Sequence, residues 1–318
     1  MPSPESNAPA VANSVVAELV AVLVAVSNGQ PRVLTRDNAL ALPAGPFESA
    51  HRSLQAGLRS WVEAQTHHPL GYVEQLYTFA DGDRANWQGQ RIISVSYLGL
   101  TQEASNLDID TVGWQDWYRY FPWEDGREGR PSLIDDMILP ALRRWAGNGS
   151  AASKRLRRQR IVDTFGADSE QWNEDLVLQR YELLFEAGLV QEARRSVRTH
   201  EAWPDMPVLP GDSMVHDHRR ILATAIARLR AKIRYRPMVF ELMPPTFTLL
   251  QLQHAFEAVA GRRLHKQNFR RFIEQQNLVE ETGHTTQGAA GRPAQLFQFR
   301  GDVVRERAIA GSKLPLAR

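Results

Sequence analysis

The sequence predicts an α/β + α protein: a layered α/β domain, a run of helices inserted after it, and a small basic helical unit closed by a hairpin. Three observations lead there. A stretch over 42–66, loop and then amphipathic helix, is flanked by apolar, strand-like runs, an arrangement that layers a helix on a sheet. From Ser132 to about His200 the apolar residues recur at helical spacing with no strand signal between them. Over 236–300 a capped helix, a glycine-marked turn, a second helix rich in Lys and Arg, and two short strands follow one another.

In chain order, 1–12 holds three prolines among polar residues and reads as a disordered tail. Val20, Val22, Val24 and Val26 alternate with small or apolar neighbours, as in a buried strand. Asn28-Gly29 then makes a turn, and Arg32–Arg36 returns as a second strand. In the helix that follows, Leu54, Leu58, Trp61 and Val62 form one apolar face, and strands are expected over 72–79 and 91–100. Trp114, Trp117, Tyr118, Tyr120, Phe121 and Trp123 crowd the next stretch, fitting either a core or rings that stack on a base.

The insert, 132–214, is expected to form helices over 133–145, 151–165 and 174–186. Its run Lys154, Arg155, Arg157, Arg158 and Arg160 suits a solvated face or a phosphate contact. A connecting helix over 215–235 carries Ile221, Leu222, Ala225, Ile226, Leu229 and Ile233 on one side, and Pro237 marks the junction to the last domain, 236–301. The layered domain before the insert covers 13–131, and 302–318 is a second tail.

In 236–301, Thr248 with Gln251 three residues later is a capping box, which pairs two backbone donors that a helix start leaves open. Leu249, Leu252, Phe256 and Val259 form a core-facing stripe and Gly261 ends the helix. In the second helix Phe269, Phe272 and Ile273 face inward. Lys266, Gln267, Asn268, Arg270 and Arg271 lie on or near the other side, and such groups contact phosphates and base edges. Strands over 278–282 and 295–300, joined by a glycine-rich loop with Arg292 at its base, complete the plan of a winged helix-turn-helix. Between Arg228 and Arg300 twelve Lys/Arg stand against five Asp/Glu, so this segment carries +7 while the 318-residue chain carries +2. Positive charge confined to one domain is the footprint of a duplex DNA partner.

Composition excludes several chemistries. Without cysteine there is no disulfide, thiolate zinc site or thiol nucleophile. The most apolar run, 15–26, is too short to span a bilayer, and no Lys or Arg precedes Arg32 to start a secretory signal, so a cytoplasmic protein without a membrane partner is expected. His216 and His218, or His67 and His68, lack the third ligand of a zinc site. No metal and no catalytic residue is assigned.

The stretch over 42–66 also falls in register with the Nudix box. Gly45, His51 and the run Arg59-Ser60-Trp61-Val62-Glu63-Ala64-Gln65-Thr66 occupy the places of Gly, Glu and Arg-Glu-apolar-any-Glu-Glu-any-Gly. Of the glutamates only Glu63 remains, and one carboxylate cannot hold the divalent cations that pyrophosphate hydrolysis needs. Together with HDHRRILATAIARLRAKIRYRPMVFELMPPTFTLLQLQ, GRRLHKQNFRRFI and GRPAQLFQFR, the box resembles the Nudix-related transcriptional regulators of NAD metabolism, in particular the NadQ branch. That resemblance implies a Nudix-like α/β/α sandwich with a helical insert and a winged helix-turn-helix. It implies a homodimeric repressor of NAD biosynthesis or salvage genes that binds a palindromic operator and answers NAD, ADP-ribose or ATP, with Gly45, Arg59 and Glu63 as candidate ligand-binding residues. The alternative is a Nudix-type pyrophosphohydrolase with a basic accessory domain, which requires Glu48, Glu63, Glu74 and Asp81 to converge. A third reading is a winged helix that binds RNA or serves as a scaffold.

Overall fold

The computed structural model describes residues 15–71, 73–80, 90–103, 109–167, 172–195, 206–233, 238–286 and 293–301. Strands β1 (Val15–Ser27) and β2 (Gln30–Thr35) form the expected hairpin, with Asn28 and Gly29 both at positive φ in the turn. A short β3 (Ala44–Pro46) leads to α1 (Leu54–Thr66), whose N-cap Ser53 accepts a hydrogen bond from the Ala56 N–H at 3.1 Å. Strands β4 (Val73–Phe79), β5 (Arg91–Leu100) and β6 (Gly113–Asp116) complete one mixed sheet in the order β4-β5-β1-β2-β6, with β3 also on β1. The central β1–β5 pair is parallel over Val15–Val24, and from Leu19 and Ser94 to Val24 and Leu100 both strands are buried on both faces.

The alternation along β1 divides the core into two layers. Leu19, Ala21 and Leu23 face α1 and pack on Leu58 and Val62. Val20, Val22 and Val24 face the other way, into a larger core that includes Ile221, Leu222 and Ile226 of α6 (His218–Ile233). Expected as a connector, α6 is a packing layer: with α1 and the sheet it makes the α/β/α sandwich. Its two-sided apolar composition, with Ala223 and Ala225 buried as well, is that of a helix enclosed on several sides.

The insert adds α2 (Leu139–Ala146), α3 (Ala151–Phe165), α4 (Val177–Glu186) and the short α5 (Gln191–Arg195). A π-turn over Ile134–Ile138 precedes α2, where Pro140 has no N–H to bond back to Asp136. Trp117, Tyr118, Tyr120, Phe121 and Trp123 are all buried, so the aromatic run is core rather than a ligand cage; only Trp114 is half-buried. Among the described residues no helix is long and apolar enough to cross a membrane.

The last domain consists of α7 (Leu249–Ala260), α8 (Lys266–Gln276), β7 (Val279–Thr285) and β8 (Gln295–Phe299). The first hairpin strand runs three residues past the expected 278–282. Gly283, at φ 76, absorbs the register shift between Glu281 and Thr285 as a bulge, so pairing resumes beyond it. Phe247 adds a third, one-residue strand by exchanging hydrogen bonds with Phe297 at 2.8 and 2.9 Å. Arg292 lies outside the described residues.

Candidate functional site

Helix α8 is oriented by Phe269 and Ile273, both buried, with Phe256 of α7 stacked edge-on against Phe269 at 5.3 Å. Anchoring one side of a short helix fixes where the other side points. Lys266, Gln267, Asn268, Arg270 and Arg271 are all exposed, and none forms an ion pair or side-chain hydrogen bond with another described residue. At 100° per residue, Gln267 and Arg271 share the middle of the outward face, with Lys266 and Arg270 to one side and Asn268 to the other. The arginines of the preceding turn differ. Arg262 pairs with Glu174 at 3.0 Å, and Arg263 pairs with Glu128 at 2.6 Å and Glu257 at 3.1 Å. Strands β7 and β8 contain no Lys or Arg, and Glu280 and Glu281 accept from Gln298 and Gln295, so the exposed positive charge sits on the helix rather than on the paired strands.

The α7–α8 pair is docked on the sandwich through the C-terminus of α7, where backbone carbonyls lose their helical partners. The Glu257 carbonyl is taken by the Gly261 N–H at 2.9 Å, that of Ala258 by the Tyr118 hydroxyl at 2.7 Å, and that of Val259 by Arg230 Nε at 3.0 Å. Gly126 N–H donates to the Gly261 carbonyl at 2.8 Å. Gly261 itself sits at φ 71, and a Cβ there would lie 2.5 Å from the Glu124 carbonyl oxygen, so both the cap and the close approach require glycine.

Behind this contact lies one buried carboxylate. Glu124 accepts from Arg180 of α4 at 2.6 and 2.8 Å and from Arg230 of α6 at 2.7 Å, with all three side chains at 0 or 1% exposure. Burial alone would push the Glu124 carboxyl up, but the two guanidiniums outweigh it and hold it below the usual range. Glu257 behaves similarly: burial works to raise it, while hydrogen bonds from Gln253, the Leu264 N–H and Arg263 bring it down. Glu124 thereby ties the insert, the second helical layer and the α7 terminus to a single charge. Beside it a cleft of about 1090 Å³ opens between the insert and the α7–α8 turn, with Arg130, Val162, Trp172 and Asn173 on one wall and Gly261 and Arg262 on the other.

The three candidate ligand-binding residues are gathered near α1 but do not line this cleft. The indole of Trp61 covers Gly45, a Cβ there meeting the ring at 2.3 Å, and Trp61 Nε1 donates to the Pro46 carbonyl at 2.8 Å. Arg59 reaches the carbonyls of Leu70 and, at 2.7 Å, Gly71. Glu63 is exposed, with no side-chain partner among the described residues. Gln65 clamps Ala44 from both ends of its amide, at 3.1 and 2.7 Å, so a box side chain serves as a brace between α1 and β3. Of the alternative carboxylates, Glu74 pairs with Lys232 and lies 3.9 Å from Arg228, while Asp81 falls outside the described residues. No group of three or more His, Asp or Glu among the described residues is placed to hold a metal ion. His218 Nδ1 instead accepts the Leu42 N–H at 2.9 Å inside the core.

Glu124, Arg180 and Arg230 escaped the sequence reading, as did the bond from the Tyr118 hydroxyl to α7. The available signal was charge in otherwise apolar company: Glu124 follows a block of buried aromatics, and Arg230 interrupts the stripe of α6.

Comparison with known proteins agrees with this arrangement. The model of the NrtR DNA-binding winged helix domain matches residues 239–299. Over 100 residues the chain is 39% identical to the ADPR responsive transcriptional repressor NtrR of Acinetobacter baylyi, a match covering 31% of this chain and 40% of that protein. The chain thus spans less than half the length of the curated relative it matches. The crystal structure of Shewanella oneidensis NrtR complexed with a 27mer DNA aligns over 91% of this chain and 95% of that one, with a TM-score of 0.51 at 19% identity. A MutT/nudix family protein from Enterococcus faecalis aligns over 94% and 90%, with a TM-score of 0.50 at 15% identity. The fold is therefore a Nudix-like α/β sandwich followed by a winged helix.

Proposed function

We propose that the chain is a DNA-binding transcriptional repressor whose Nudix-like sandwich senses an adenine nucleotide instead of cleaving it. The observation that carries this is the outward face of α8, where Lys266, Gln267, Asn268, Arg270 and Arg271 stand exposed and unpaired among the described residues while neighbouring arginines are neutralised within the chain. Arg292, at the base of the wing, adds a further contact in this reading. A homodimer would place two such helices in successive major grooves of a palindromic operator, about 34–36 Å apart. The protein works in the cytoplasm, on genes of NAD synthesis or salvage.

ADP-ribose is the favoured effector, in keeping with the ADPR-responsive relative, and NAD and ATP are the other candidates. Glu63, exposed on α1, is assigned to contact it. Arg59 contributes by leaving the carbonyls of Leu70 and Gly71, and Gly45 by seating Trp61. Sensing without turnover follows from a box in which Ser60 and Ala64 stand where metal-binding glutamates would be.

The test is fluorescence anisotropy with duplex DNA from upstream of the protein's own gene, with and without ADP-ribose, NAD or ATP. The Arg270→Ala/Arg271→Ala variant should bind more weakly, its salt slope reduced by about one for each phosphate it no longer neutralises. Unchanged affinity and slope would remove the α8 assignment. Rapid magnesium- or manganese-dependent release of AMP from ADP-ribose would remove the sensing one.

A further inference from the structure

Helix α3 runs for 15 residues, from the N-cap Ser150 to the left-handed cap Gly166, yet only Ile161 and Phe165 are buried. Leu156 is 61% exposed. A helix that buries so little contributes little to the core, so its outer residues are free to serve something else. Two of its five basic residues are used within the insert. Arg157 stacks on Trp145 at 4.3 Å and donates to the Asn148 carbonyl at 2.9 Å, and Arg160 pairs with Glu186. Lys154, Arg155 and Arg158 form no ion pair with another described residue, and the one acidic side chain of the helix, Asp163, accepts from Gln159 at 2.8 Å.

The placement of these three charges gives them a direction. Lys154, Arg158 and Val162 are spaced by four and lie in one row along the helix, with Arg155 beside it. The row ends at Val162, on the wall of the cleft opposite Gly261 and Arg262, the turn that delivers α8. From Val162 back to Lys154 it runs about 12 Å along the helix at 1.5 Å per residue, the length of roughly three to four base pairs.

We propose that this row is a second grip on DNA phosphate, holding the duplex that flanks the segment under α8. The inference rests on the DNA-binding reading above. Duplex DNA is the favoured partner because the charges form an extended line beside the helix–turn–helix turn, and a polyanion of regular spacing matches a line of cations. Such contacts carry no sequence information. They lengthen the footprint and steepen the salt dependence.

The experiment measures salt-dependent binding of the full chain to mixed-sequence duplexes of roughly 40 and roughly 16 base pairs. With the long duplex, K154Q/R155Q/R158Q should show a log K against log[salt] slope smaller in magnitude by about two to three for each protomer bound. With the short duplex it should match the wild type, and its melting midpoint should be unchanged. Arg270→Gln/Arg271→Gln should weaken binding to both. If that variant loses affinity while the α3 variant keeps the full slope on the long duplex, the second grip is overturned and the DNA-binding reading stands. This is also the outcome if the row serves an acidic protein segment instead. If the wild type binds neither duplex at low salt, both fall.

Discussion

The hydroxyl of Tyr118 donates to the carbonyl of Ala258 at 2.7 Å, joining a residue just past the last strand of the sandwich to the C-terminus of α7, 140 positions later. The same oxygen accepts from Arg230 at 3.3 Å, so the phenol sits between the α7 terminus and the buried ion cluster. Tyr118→Phe keeps the ring in the core and removes only these bonds. It should cost about 1–3 kcal/mol, the penalty for a buried polar group left unpaired. Because the orphaned carbonyl belongs to α7, the effect should be local in hydrogen exchange: amides of Leu249–Ala260 exchange faster while those of α1 do not. Equal acceleration in both helices would mean that the bond is not what seats the winged domain.

Glu124 predicts a pH dependence of definite sign. Its carboxyl is held below the unfolded range, with Arg180 and Arg230 outweighing the opposing effect of burial. Its contribution to stability is therefore complete above an unfolded value of about 4.3 and is lost as pH falls through the lower folded value. Glu124→Gln removes the charge at every pH and leaves two guanidiniums buried without it. Breaking such a group costs about 3–5 kcal/mol at neutral pH. Melting midpoints of the two proteins should lie far apart at pH 7 and converge in the acid range, because only the wild type has this stabilisation to lose. Parallel curves down to pH 3 would assign the acid sensitivity to other carboxylates.

How much of this was legible beforehand depends on the distance along the chain over which each feature is decided. The Thr248–Gln251 capping box, the Gly261 stop and the span of α3 rest on neighbours within a few positions and stand as read. So does the inward set of α8, since Phe269 and Ile273 fix its phase by themselves. The Phe247–Phe297 bridge joins residues 50 positions apart, and a single extended residue has no periodicity to reveal it. The partners of Arg230 lie beyond the reach of local periodicity, because the groups that enclose it come from the aromatic run, the insert and α7. Gly45 and Trp61 are each visible as box positions. That one covers the other follows only from how β3 crosses in front of α1, and the same crossing places Gln65 as a brace.

Lys266 and Gln267 adjoin on α8, are both exposed, and should nevertheless fail differently. A lysine at the first turn offers a mobile point charge suited to phosphate, whereas Gln267 shares the middle of the outward face with Arg271 and carries both a donor and an acceptor, as pairing to a base edge requires. Lys266→Ala should therefore weaken binding to operator and scrambled duplex alike and lower the salt slope by about one for each protomer bound. Gln267→Ala should leave scrambled DNA unaffected and weaken the operator alone, narrowing the gap between them by about 1–3 kcal/mol. Parallel anisotropy titrations of the two variants against both duplexes separate these outcomes. If Gln267→Ala weakened both duplexes equally, that side chain would be touching backbone, and base reading would pass to Asn268 and Arg271.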